Sequence, residues 1–152
     1  MKHTFEILIN KPISLVIKKM NSIDNIIHWQ EGFINMEHIY GNPNELGAKM
    51  KLNYSFGNRK MEVIETITKQ NLPDELHTTY ASKGLQNIQE NYFKTTKEDY
   101  TIWVCKNNFQ PTNFKMSIML LLIPGAFKKH TKTYMTNFKR FVEKGTSVHT
   151  SK

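Results

Sequence analysis

The chain holds a single cysteine, Cys105, among 152 residues. No disulfide can close within it, and a multi-cysteine metal site is excluded. Its histidines, His3, His28, His38, His77, His130 and His149, show no His-x₃-His spacing, so no metal site is expected. The longest apolar run, Ile118 to Ile123, is far short of the ~20 residues a membrane-spanning helix needs. Met1 to Glu6 contains no apolar stretch of signal-peptide length. These absences lead to the expectation of a cytoplasmic protein without a transmembrane segment. The glycines offer no phosphate cradle, because the Gly41–Gly47 stretch lacks a Gly-Lys-Ser/Thr ending. No cofactor is expected.

Acidic residues are also scarce, 13 against 21 Lys and Arg, for a net charge of +8. Gly125 to Lys144 carries six of the basic residues and one acid, Glu143. Phe127, Thr131, Tyr134, Met135, Phe138, Phe141 and Val142 recur there at spacings of three and four, so they share one face of a helix. Lys128, Lys129, Lys132, Lys139, Arg140 and Lys144 take the rest, and Gly145 is a natural stop. The basic residues read as the solvated back of this helix. The aromatics lie on the opposite face rather than among the lysines, so no nucleic-acid partner is expected.

Most of the remaining sequence is strand-like. Thr4–Asn10 alternates, with Phe5, Ile7 and Ile9 on one side. Pro12 suits the first turn of a short helix ending near Asn21, and Ser22 is placed to cap a second, with Ile23, Ile26 and Ile27 inward. Strands are expected at Phe33–Tyr40, Lys49–Phe56, Arg59–Thr68, Leu76–Ser82, Gln86–Thr95 and Tyr100–Phe109, joined by turns such as Gly57-Asn58. Phe114–Ile123 is ambiguous between helix and strand by periodicity alone. The order is β-α-α-β₆-α, an α+β fold. A long antiparallel meander must curl, and one long helix can fill its concavity. A single domain is expected over residues 1–145, with a flexible polar tail over 146–152.

Several of these features together are similar to the START-related, or SRPBCC, superfamily, which includes the birch-pollen allergen and polyketide cyclases. The strand Phe5–Ile9 runs into Lys11-Pro12, Trp29 precedes Gly32, and Gly41 and Gly47 bracket a hairpin. The ending Pro124-Gly125-Ala126-Phe127-Lys128-Lys129, followed by Phe138-Lys139-Arg140-Phe141-Val142-Glu143, resembles uncharacterised bacterial members. The resemblance spans about residues 3 to 144 and rests on pattern and order. It implies a helix-grip fold, in which a seven-stranded antiparallel curved sheet wraps the last helix around a hydrophobic cavity. It implies no particular reaction.

The residues expected to line such a cavity are Phe5, Ile9, Trp29, Met50, Tyr54, Phe56, Met61, Glu65, Trp103, Tyr134 and Phe138. A wall of this kind suits an apolar ligand oriented by a few hydroxyls, and the methionines let it adjust. The alternative is a filled core. Glu65 shares parity with Met61, Val63 and Ile67. A desolvated carboxylate there is a candidate acid or base; a water-filled mouth, a lysine partner or a β-bulge are the other readings. His130 reads as a boundary residue and Cys105 as a buried thiol. Three functions follow: a binder of a lipid-like or polycyclic molecule, a cyclase-like enzyme working through Glu65, Tyr54 and Tyr134, or an interaction module using the basic face. The first is favoured, and a homodimer is possible.

Overall fold

A computed structural model describes residues 1–149. Residues 150–152, the end of the expected tail, lie outside the described residues. The elements are β1 (Lys2–Ile9), α1 (Ile13–Met20), a 3₁₀ turn (Ile23–Asn25), α2 (Ile26–Trp29), β2 (Phe33–Tyr40), β3 (Lys49–Phe56), β4 (Arg59–Asn71), β5 (Glu75–Ser82), β6 (Leu85–Thr95), β7 (Thr101–Pro111), α3 (Phe114–Leu122) and α4 (Pro124–Lys144). The strands form one antiparallel seven-stranded sheet in the order β1-β7-β6-β5-β4-β3-β2, curved around α4.

Two departures from the expected order have plain causes. The run Phe114–Leu122 is a helix. Pro111 ends β7, and Asn113 caps the helix by accepting a hydrogen bond from the Met116 amide at 2.8 Å. Gly84, with φ +80°, makes room for that cap, since a Cβ there would sit 2.4 Å from the Asn113 amide nitrogen. Before β2, the expected second helix is split into the 3₁₀ turn and α2, and Ser22 makes no capping bond.

The concave face divides into a packed half and a hollow half. On the packed side, β1, β7 and α1 close against the C-terminal half of α4, burying Ile9, Val16, Trp103, Met135, Phe138 and Val142. Phe138 meets Trp29 edge-on at 4.9 Å and Trp103 at 5.4 Å. Pro124 starts α4 and Gly145, at φ 70°, ends it, its amide donating to Phe141 O at 2.8 Å. Beyond it the chain runs to α2, where Val148 N–H donates to His28 O at 2.9 Å. On the other side, β3 to β5 curve away from the N-terminal half of α4 and leave a gap, and β6 reaches the helix through Gln89, whose Nε2 donates to the Tyr134 hydroxyl.

Candidate functional site

That gap is a cavity of about 510 Å³ between α4 and the sheet. One wall, on β3 and β4, is mainly apolar: Met50, Tyr54 and Phe56 of β3 line it with Met61, Val63 and Ile67 of β4, Tyr54 standing opposite Met61. A bulge, one of the alternative readings for Glu65, occurs on β4, but it falls between Ile67 and Lys69 and leaves Glu65 in register with its inward neighbours. Phe56 and Met61 are partly exposed and form the rim. Tyr54 is tied to α2, its hydroxyl donating to Gln30 Oε1.

The opposite wall is polar, and nothing in the sequence reading anticipated it. Along β6 the inward positions are Leu85, Asn87, Gln89, Asn91 and Phe93, and the three amides are buried. Asn87 Nδ2 donates to Asn107 Oδ1 at 2.7 Å, and Gln89 Nε2 reaches the same oxygen at 3.0 Å and the Tyr134 hydroxyl at 2.8 Å. Asn91 Nδ2 donates to Gln89 Oε1 at 3.0 Å, and Asn91 Oδ1 accepts from Trp103 Nε1 at 2.8 Å. The amides are tied to one another and to Asn107, Tyr134 and Trp103, which holds the wall in place. Each amide offers two donors and an oxygen with two acceptor sites, so the ladder retains hydrogen-bonding capacity. Asn87 Oδ1 has no partner among the described side chains.

Glu65 joins the two walls. It stands opposite Met50 on β3 and Tyr80 on β5, and Tyr80 in turn stands opposite Asn87 on β6. Burial pushes the Glu65 carboxyl above its ordinary value of 4.5, while the Tyr80 hydroxyl works in the other direction. Burial and the Glu65 charge raise the Tyr54 and Tyr80 phenols, so both are donors at neutral pH. The Tyr134 phenol is likewise raised, by burial and then by Cys105. Cys105 lies behind the wall, its sulfur 3.3 Å from the Tyr134 hydroxyl, and burial pushes its thiol up to about 11. It is an unreactive thiol at neutral pH. His130 borders the cavity from the exposed edge of α4 and stands edge-on to Tyr134 at 5.6 Å.

Of the expected lining residues, the structure brings Trp29, Met50, Tyr54, Phe56, Met61, Glu65, Trp103 and Tyr134 to the cavity. Phe5, Ile9 and Phe138 do not border it. Ile9 and Phe138 are fully buried in the packed half, and Phe5 packs against them. The reason is positional: β1 pairs with β7, where the sheet is closest to α4. Tyr80, Thr78 and the amides of β6 were the residues missed. Their trace was parity, because Asn87, Gln89 and Asn91 alternate in step with Leu85 and Phe93. Among the described residues, no cluster of His, Cys, Asp and Glu has the arrangement of a metal site.

The backbone can be compared with solved structures. It superposes on a conserved protein from Geobacillus kaustophilus with TM-score 0.76 and 12% identity, covering 95% of this chain and 97% of that one. A protein of unknown function from Staphylococcus aureus gives 0.76 and 10%, covering 95% and 94%. Ara h 8.0201, a birch-pollen-allergen-like protein, gives 0.70 and 11%, covering 93% and 98%. The chain has the helix-grip fold. At such identities the helix-grip likeness is one of architecture, shared by proteins of different roles. No protein-family model and no curated protein sequence matches the chain. No helix among the described residues is long and apolar enough to cross a membrane.

Proposed function

We propose that the chain binds an amphipathic small molecule, with a lipid-like or polycyclic body and neutral polar groups along one side. The observation that carries this reading is the cavity of about 510 Å³ with one apolar and one amide-lined wall. An apolar body against Met50, Val63 and Ile67 gains about 25 cal/mol per Å² buried. The polar side meets the Asn87–Gln89–Asn91 ladder, where a missing hydrogen-bonding group on the ligand leaves buried amides unsatisfied and lowers affinity. A purely hydrocarbon ligand fits this wall poorly. The test is titration with a neutral amphipathic fluorophore, 6-propionyl-2-(dimethylamino)naphthalene. Saturable binding is expected, with Val63→Phe, which narrows the cavity at its apolar wall, weakening it about tenfold or more without loss of thermal stability. Unsaturable binding, or binding that Val63→Phe leaves unchanged, counts against the reading.

A second reading is favoured by one specific observation, the raised carboxyl of Glu65 beside the Tyr80 phenol. A desolvated carboxyl whose pKa is raised by burial, next to a phenol and facing amides, has the parts to donate to a carbonyl and move a proton, as a cyclase or dehydratase requires. Glu65→Gln keeps the shape and removes the titratable proton. In this reading it lowers turnover of a polycarbonyl substrate by about a hundredfold or more, while the binding reading leaves fluorophore affinity within a few-fold of the parent.

A further inference from the structure

α3 presents a face that the fold does not cover. Phe114, Ile118, Leu121 and Leu122 fall at i, i+4, i+7 and i+8, one side of the helix. Phe114, Leu121 and Leu122 are 79%, 81% and 75% exposed, and Leu120 is the only buried residue of α3. Single exposed apolar residues are ordinary on a protein surface, but four sharing one helix face are not.

The surroundings of this face are predominantly basic, with Glu31 ahead of β2 the acid that reaches α4 at this end. The ladders place the β3–β4 turn, the β5–β6 turn, the end of β7 and α3 at the same end of the sheet. Lys60 and Lys83 project from the two turns, Lys115 from α3, and Lys128 and Lys129 from the first turns of α4; all are exposed. None of the ion pairs among the described residues involves them. No Asp or Glu occurs between Asp99 and Glu143. The loops at the other end hold Glu45, Asp74, Glu98 and Asp99, and Glu75 begins β5 there.

We infer that this end of the molecule docks on an anionic lipid bilayer, with the outer face of α3 in the headgroup–acyl boundary and the surrounding lysines among the headgroups. An apolar helix face rimmed by cations is the pattern that binds a charged lipid surface. A convex apolar ridge also suits a deformable surface better than a rigid partner. Single-stranded nucleic acid would call for aromatics among the lysines, whereas Phe114 is the sole aromatic residue on this face. Docking has a consequence for the cavity, because Met119 and Ile123 at the base of the face also border it. The inference goes beyond ligand binding and stands without it.

The test is flotation of the full chain with vesicles of phosphatidylcholine alone and of phosphatidylcholine mixed with phosphatidylserine. Binding is expected to the mixed vesicles and to weaken steeply as salt rises from about 50 to about 500 mM. Lys128→Glu with Lys129→Glu should lower it by about 25-fold or more, at about fivefold per lysine removed. Leu121→Ser with Leu122→Ser should lower it about tenfold or more, with the circular dichroism and melting temperature of the parent. Absence of binding to the mixed vesicles overturns the inference. So does binding that neither double variant reduces, or a concentration-dependent dimer in light scattering that Leu121→Ser with Leu122→Ser abolishes while vesicle binding persists.

Discussion

Residues one helical turn apart on α4 have different tasks. Phe138 is fully buried between Trp29 and Trp103. Phe138→Ala is expected to cost about 3–5 kcal/mol in urea denaturation, from lost transfer energy and the void left behind. Met61, partly exposed at the rim, should lose under about 1 kcal/mol as Met61→Ala. Glu65 gives a pH signature. Its folded carboxyl titrates above 4.5 because of burial. In acid, both folded and unfolded forms are protonated and the group contributes nothing. As pH rises through the ordinary carboxylate range, the unfolded chain releases its proton first, so the folded state loses stability until Glu65 itself ionises. Glu65→Gln should therefore match the parent in melting temperature near pH 4 and exceed it increasingly toward neutral pH. A constant difference across that range would show that Glu65 titrates normally.

At the scale of elements, α3 depends on its junction with the β5–β6 turn. Asn113 caps it and packs on Gly84, whose carbonyl accepts from the Thr112 amide at 2.8 Å. Asn113→Ala removes the cap at a cost of about 1 kcal/mol. Gly84→Ala adds a strained positive φ and a clash, of order 1–3 kcal/mol. Both should speed hydrogen exchange at the Met116 and Ser117 amides while the amides of β6 and β7 keep their protection. The strands and α4 were legible in the sequence because each has one buried face and a clear period. α3 was not, because Phe114–Ile123 carries only two polar residues, Lys115 and Ser117, too few to set a period. Its helical state was decided by the cap and by the end of the sheet. The amide ladder of β6 was also hidden: its outward positions include Ile88 and Tyr92, so hydropathy alone does not say which face is inside.

For the whole molecule, the hollow half of the fold is where binding and stability are linked. A ligand held only by the folded state should stabilise it by about 2.7 kcal/mol at a hundredfold excess over its dissociation constant. Melting temperature should then rise with fluorophore concentration, and Val63→Phe should flatten that rise. The sequence by itself determined the antiparallel meander, the extent of α4 and the inward aromatic stripe, because periodicity and turn chemistry are local properties of the chain. It also placed the positive charge on the back of α4. Only the tertiary structure decided that Phe138 is packed while Tyr134 borders a cavity, since both stand on the same stripe. That difference comes from the curvature of the sheet, which approaches α4 at β1 and β7 and leaves it at β3 to β5. The same curvature brings Glu65, Tyr80 and the amides of β6 into one polar wall from three separate strands, a meeting no local pattern records.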